Sequence, residues 1–315
     1  MAHSSARSVA VVGAGLVGLG WAIVFSRAGL PVTIFDASAE ARAAALGRLE
    51  ASLLDMEAAG LLDNVADILG RMRVVETLAE AVSDADYVQE SVFERVNVKA
   101  DIANAIGPLL KSGAVVGSSS SGIPASAFTE HAENRDRFLI VHPVNPPQLI
   151  PLVELVPAPW TDAAIVPAIR SFMKEVGQVP IVVNREVEGF ILNRLQGALL
   201  NEAWALFEEG YASVEDIDLT VSHGLGFRWS FMGPFETIDL NAPGGVADYA
   251  RRLGPLYHGI AKARSNPKPW SEELVARVDA ERRSRLALEQ LPERSAWRDR
   301  RLMALLRHKN TQSDT

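Results

Sequence analysis

With 315 residues, 48% of them hydrophobic and 22% charged, the chain is long enough for two domains and apolar enough for a sizeable core. A formal net charge of -8 argues against nucleic acid as the main partner, because phosphate binding needs a basic surface; an anionic substrate held by a local Arg or Lys stays open. No cysteine is present, which excludes disulfides, thiolate metal sites and cysteine nucleophiles and suits a reducing cytoplasm.

Ser8–Phe25 is apolar enough to suggest the core of a secretion signal. It carries a glycine fingerprint, however, and runs directly into a polar-capped strand, which a cleaved segment has no reason to do. No other stretch approaches the roughly 20 apolar residues of a membrane span. The expectation is a cytoplasmic protein with no membrane or nucleic-acid partner.

In chain order, β-branched runs at Ser8–Val12, Pro31–Phe35, near Arg73–Val75, and at Tyr87–Glu90, Ala114–Ser118, Phe138–His142, Glu154–Pro157 and Val179–Val183 predict strands. Helical segments are expected between them at Leu16–Gly29, Ala39–Gly60, Leu78–Val82, Val96–Leu110 and Ala163–Val176. Such alternation predicts an α/β fold, a Rossmann-type doubly wound sheet that is mostly parallel with helices on both faces. From Glu188 the pattern turns helical: Gly189–Glu209 is periodic, Gly210 closes it and Ser213 caps the next helix. The expected division is a dinucleotide-binding domain over 1–187 and an all-helical domain over 188–315, ending in a disordered tail from Asn310.

Gly13-Ala14-Gly15-Leu16-Val17-Gly18 follows the first strand and opens the first helix. Gly13 permits a tight turn, Gly15 lets a pyrophosphate approach the backbone, and Gly18 lets helix and strand pack closely. The helix amides, including those of Leu16 and Val17, are positioned for the phosphates. Asp36 ends the second strand, where a carboxylate accepts from adenosine ribose hydroxyls and repels a 2′-phosphate, which favours NAD over NADP. Taken alone, Asp36 reads equally well as a helix cap. Among six histidines, His142 stands apart because it ends an apolar strand and opens a proline-rich loop. Glu154 lies within another apolar strand, where a carboxylate is costly unless paired. A His142–Glu154 pair would meet that cost and hold the imidazole in one tautomer.

At these motifs the chain resembles the 3-hydroxyacyl-CoA dehydrogenases, in particular the lambda-crystallin / L-gulonate 3-dehydrogenase branch. The resemblance rests on VVGAGLVG, FERVNVK at Phe93–Lys99, SSSSGIP at Ser118–Pro124, HPVNPP at His142–Pro147, PLVELVP at Pro151–Pro157 and EGFILNRLQ at Glu188–Gln196. GLGFRWSFMGPFETIDLN at Gly224–Asn241 and AWRDRRL at Ala296–Leu302 select the branch. It implies NAD as cofactor, a homodimer, and oxidation of a 3-hydroxyl with His142 as general base oriented by Glu154. It also implies that Ser121 and Asn193 bond the substrate oxygen, that Asn145 helps place substrate or cofactor, and that Glu94 and Lys99 lie beside the nicotinamide and ribose. The run of four serines leaves Ser120 as an alternative to Ser121. Apolar neighbours Phe190, Ile191, Leu192 and Leu195 predict a largely buried helix around Asn193, whose own alternative is interhelical bonding.

Arg228, in an aromatic and glycine-rich turn, could clamp a carboxylate bidentately or simply hold its loop. Asn241 could meet sugar hydroxyls or serve structure alone. A free polar 3-hydroxy acid such as L-gulonate is the expected substrate. A short-chain 3-hydroxyacyl-CoA, carnitine, and a crystallin-like structural role without turnover are the alternatives.

Overall fold

The computed structural model describes residues 7–266 and 268–312, so His3 and the last three residues of the expected tail lie outside the described residues. The chain forms two compact units, one of residues up to Arg194 together with Ser295 onward, the other Leu195–Arg294. The compact units thus meet at Arg194 and Leu195, and the C-terminal segment groups with the first of them.

The first unit is built on eight strands: β1 Val9–Val12, β2 Val32–Phe35, β3 Met72–Val74, β4 Tyr87–Glu90, β5 Val115–Ser118, β6 Phe138–Pro143, β7 Leu152–Pro157 and β8 Val179–Val182. They form one sheet in the order β3-β2-β1-β4-β5-β6-β7-β8. Every pairing is parallel except β6 with β7. All residues of β1 and β4 are buried, as expected where helices cover both faces. Alternation divides β1 between two cores: Val9 and Val11 join one cluster, Ala10 and Val12 the other.

Helix α1 (Leu16–Arg27) is buried continuously from Gly18 to Ser26, so it is apolar on every side rather than amphipathic. Its Trp21 stacks on Phe25 at 5.3 Å, and Phe25 stacks on Phe172 at 5.8 Å. Helix α2 (Ala39–Ala58) is capped by Ser38, whose hydroxyl accepts from the Ala41 amide, and it buries the stripe Ala45, Leu49, Leu53 and Met56. Helices α3 (Val65–Leu69), α4 (Leu78–Val82), α5 (Val96–Ile106), α6 (Ser126–Thr129) and α7 (Ile165–Glu175) complete the layers.

Helix α8 (Leu192–Glu208) leads into the second unit. There follow α9 (Val214–Thr220), capped by Ser213, and a π-helical turn at Val221–Leu225. Next come α10 (Gly226–Trp229), α11 (Pro234–Leu240), α12 (Gly245–Ala263) and α13 (Glu272–Arg285). Gly210, at φ 75°, ends α8 in the left-handed conformation. Arg264, the residue after α12, pairs with Glu202 of α8 and with Glu209 just beyond it. Among its described residues this unit buries only Phe207, Thr237, Ala242 and Leu274, while Phe227, Phe231 and Phe235 are more than two-thirds exposed at 72%, 68% and 79%.

The last helix, α14 (Leu291–Asn310), places Met303 in the same core as Met56 and Leu53. That apolar contact accounts for the C-terminal segment joining the first unit. The tail expected to be disordered from Asn310 is ordered in part: Asn310 ends α14, and the Thr311 and Gln312 amides donate to the carbonyls of His308 and Lys309.

Candidate active site

The glycine turn between β1 and α1 has the geometry its sequence requires. Gly13 sits at φ 109°, and a Cβ there would lie 2.5 Å from the Ser91 carbonyl oxygen. A Cβ on Gly18 would lie 1.9 Å from the Gly13 oxygen, so close helix–strand packing forbids a side chain. A Cβ on Gly15 would meet nothing within 4 Å: the space is open, as an approaching pyrophosphate needs. Gly15 is also the N-cap of α1 and makes no side-chain cap bond, so no side chain covers the amides that follow. Leu16 is 71% exposed and Val17 packs against the core.

Asp36 does not cap α2, a place taken by Ser38. Its Oδ2 accepts from the Ala14 amide at 2.7 Å and its Oδ1 from the Ser38 amide at 2.8 Å, which ties the end of β2 to the glycine turn. Each carboxylate oxygen keeps a further lone pair for a ribose hydroxyl. The turn, the open face at Gly15 and the placement of Asp36 together fit a dinucleotide.

His142 and Glu154 are direct partners across the antiparallel β6–β7 pair. They lie on the sheet face of Ile140 and Val156, so their side chains meet. His142 Nδ1 is 2.8 Å from Glu154 Oε2. Glu154 Oε1 accepts from the amides of Ile191 at 2.8 Å and Leu192 at 3.0 Å, at the start of α8. Burial on its own would raise the Glu154 pKa. The His142 hydrogen bond, the Leu192 and Ile191 amides and the charge of His142 outweigh it and hold the carboxyl below its ordinary range. Phe190, fully buried at φ 50°, packs its ring 5.7 Å from the imidazole centroid. A left-handed conformation is strained for a bulky residue; here it precedes the two amides that serve Glu154.

The serine loop after β5 resolves into an inward and an outward residue. Ser120 is fully buried: its Oγ contacts Glu94 Oε1 and the Ile123 carbonyl, each at 2.7 Å. Ser121 is exposed; its amide donates to Glu94 at 2.8 Å and its carbonyl accepts from Asn193 Nδ2 at 2.5 Å. The hydroxyl available to a ligand is therefore that of Ser121. Asn193 is half-buried, but its helix is not the buried one expected, since Ile191 is 39% and Leu195 62% exposed. Of the four apolar neighbours only Phe190 is buried, because it alone turns into the sheet face beside His142.

Glu94 is held below the ordinary carboxylate range: burial would raise it, but the Ser120 hydroxyl, the charge of Lys99 and the Ser121 and Gly122 amides prevail. Lys99 is 1% exposed and lies 3.1 Å from Glu90 and 3.4 Å from Glu94. It bridges the two carboxylates from beneath rather than offering its ammonium at the surface. Glu90, which also accepts from Ser118, is a residue that the sequence motifs do not single out. The cost of a carboxylate in the apolar strand YVQE would have flagged it, by the reasoning that flagged Glu154. Asn145 is exposed in the β6–β7 loop, followed by the cis bond to Pro146.

His142, Glu154, Ser121, Asn193, Glu94 and Lys99 are thus joined through contacts within the first unit. Arg228 and Asn241 belong to the second. The Arg228 guanidinium makes no hydrogen bond or ion pair among the described residues; Asn241 is exposed after α11. Among the described residues no cluster suited to a metal ion occurs, and no helix is long and apolar enough to cross a membrane.

Residues 8–187 match the NAD binding domain of 3-hydroxyacyl-CoA dehydrogenase, and residues 189–287 match its C-terminal domain. A 3-hydroxyacyl-CoA dehydrogenase of Gibberella moniliformis is 38% identical over 86% of this chain and 84% of its own. Lambda-crystallin of Oryctolagus cuniculus is 36% identical over 98% of both chains. An L-carnitine dehydrogenase of Nocardiopsis dassonvillei is 36% identical over 96% of this chain and 91% of its own. With a dinucleotide turn, a buried His–Glu pair and these likenesses along its length, the chain belongs to the 3-hydroxyacyl-CoA dehydrogenase family of NAD-dependent dehydrogenases.

Proposed function

We propose that the protein oxidises the 3-hydroxyl of a small free hydroxy acid, L-gulonate to 3-dehydro-L-gulonate, with NAD as acceptor. The observation that carries the chemistry is the His142–Glu154 contact of 2.8 Å, in which the second carboxylate oxygen is already engaged by two amides. Glu154 keeps the Nδ1 proton in place, so Nε2 presents its lone pair to the substrate hydroxyl. His142 then takes the hydroxyl proton as the carbon 3 hydrogen departs with its electron pair, and Glu154 stabilises the imidazolium that forms. Ser121 Oγ and Asn193 Nδ2 supply donors to the oxygen on which negative charge develops. Gly13, Gly15, Leu16, Val17, Gly18 and Asp36 would hold the adenosine and pyrophosphate half of NAD, with Glu94 and Asn145 toward the other half and the buried Lys99 fixing Glu94 from beneath. NAD, when bound, supplies the hydride acceptor.

A free acid is favoured by the guanidinium of Arg228, which has no ion pair among the described residues and suits a carboxylate, and by a relative named L-carnitine dehydrogenase. The competing reading, a short-chain L-3-hydroxyacyl-CoA dehydrogenase, draws on the family pattern and on the Gibberella relative. NADH formation from L-gulonate, L-carnitine and L-3-hydroxybutyryl-CoA, with His142→Ala as control, separates them. Turnover of gulonate alone, lost in the variant, supports the proposal; turnover of the CoA ester alone replaces it. NAD binding without turnover of any of them leaves the crystallin-like structural role.

A homodimer through the second unit fits the same reading. Four buried residues are too few to stabilise that many helices, and its exposed phenylalanines need cover. The cysteine-free composition suits a cytoplasmic setting.

A further inference from the structure

Beneath the carboxyl ends of β4 and β5 runs a polar network that the proton transfer does not use. Tyr87 Oη donates to Gln89 Oε1 at 2.5 Å. Gln89 Nε2 donates to Ser119 Oγ at 2.8 Å and lies 3.4 Å from the Val141 carbonyl. Trp21 Nε1 donates to the same Ser119 Oγ at 3.2 Å, and the hydroxyls of Ser119 and Ser91 are 2.8 Å apart.

The direction of the last bond follows from counting protons. The Gln89 amide is fixed in one orientation, because the reverse would set its oxygen against the Val141 carbonyl. A serine oxygen accepts two hydrogen bonds and donates one. Trp21 and Gln89 are N–H donors here, so they fill both acceptor sites of Ser119. Ser119 must give its proton to Ser91. Ser91 Oγ accepts that bond, and its own proton is left to point elsewhere. Among the described residues Ser91 Oγ has no other partner.

The place of Ser91 indicates what that proton meets. Its amide donates to the Val12 carbonyl at 2.7 Å, and its own carbonyl abuts Gly13. Sheet order runs β2-β1-β4-β5. If Asp36 and the glycine turn take the adenosine ribose and pyrophosphate over β2 and β1, the second nucleoside continues over β4 and β5. We propose that Ser91 donates a hydrogen bond to an oxygen of the nicotinamide ribose, a contact that helps the site prefer the whole dinucleotide to its adenosine half. This rests on reading the glycine turn as the dinucleotide site.

Calorimetric titration of the parent and of Ser91→Ala with NAD, ADP-ribose and ADP tests it. The expected result is a loss of about three- to tenfold in affinity for NAD and ADP-ribose, the range of one hydrogen bond, with ADP unchanged. Unaltered ADP binding also reports that the variant is folded. Unchanged NAD affinity would overturn the proposal, the proton then serving only solvent. Equal losses for all three ligands would overturn it too, by moving the effect to the turn itself. A loss for NAD alone would move the contact to the nicotinamide ring and away from the ribose. A parent that binds none of them would sink the dinucleotide reading and this inference with it.

Discussion

Replacing Glu154 by Gln preserves volume and removes one charge, so it isolates what the carboxylate does for His142. The present arrangement satisfies three donors with two oxygens: His142 Nδ1 on Oε2, and the Ile191 and Leu192 amides on Oε1. Glutamine offers one oxygen and an NH2 group, so either the NH2 faces the two backbone amides, donor against donor, or it faces Nδ1 and forces His142 into the tautomer with its proton on Nε2, which cannot act as the base. An unsatisfied buried donor costs about 1–3 kcal/mol of stability. The larger effect is on the reaction. An imidazolium and a carboxylate with charge centres about 4 Å apart attract by about 4 kcal/mol at an effective dielectric of about 20. That attraction exists only once the proton has moved, so its loss raises the barrier. At about 1.4 kcal/mol per decade, kcat falls by two to three orders of magnitude. Steady-state kinetics and NAD titration form the assay, with NAD affinity expected within twofold of the parent. A kcat within threefold of the parent, with NAD affinity intact, would refute the role given to the pair.

The glycine turn supports a paired prediction. Gly15→Ala should melt like the parent but bind NAD at least tenfold more weakly, because its methyl fills only the open space; Gly18→Ala should lose several kcal/mol of stability, because its methyl would lie 1.9 Å from the Gly13 oxygen. Melting curves alongside NAD titrations distinguish the two. Glu154 and Glu94 have folded pKa values below the unfolded ones. Their contribution to stability is full above the ordinary carboxylate range and lost as pH falls through the depressed values; denaturant midpoints measured from pH 6 down to pH 3 should drop less steeply in Glu154→Gln. Arg228→Glu should raise KM for a carboxylate substrate far more than for NAD, and unchanged kinetics would remove that residue from the site. Light scattering should give a dimer of the 34.0 kDa chain, and a monomer would leave the exposed phenylalanines unexplained.

Local patterns were sufficient for the glycine turn, the strand and helix alternation, and the helical character after Glu188. Each depends on residues close in sequence: Gly13, Gly15 and Gly18 act within a single turn, and Val9–Val12 alternates between two faces on its own. The His142–Glu154 pair was also legible, because a carboxylate within LVELV must have a partner and His142 ends a nearby strand. The buried helix expected around Asn193 was not found. Apolar neighbours in sequence do not specify which side of a helix is covered, and there only Phe190 is.

Sequence alone determined the elements and the types of group the chemistry needs, since both are set by short-range sterics and by the cost of burying charge. Tertiary structure decided what depends on partners far along the chain. The antiparallel register sets His142 opposite Glu154, and a slip of one residue would send the carboxylate to the other face. The different surroundings of Ser120 and Ser121 are set by Glu94, which bonds the hydroxyl of the buried serine and only the amide of the exposed one. The buried bridge of Lys99 between Glu90 and Glu94, the direction of the Ser119–Ser91 bond and the packing of Met303 against the α2 stripe are long-range in the same sense. None follows from residue spacing, because each is fixed by which distant group fills the last lone pair or the last apolar gap.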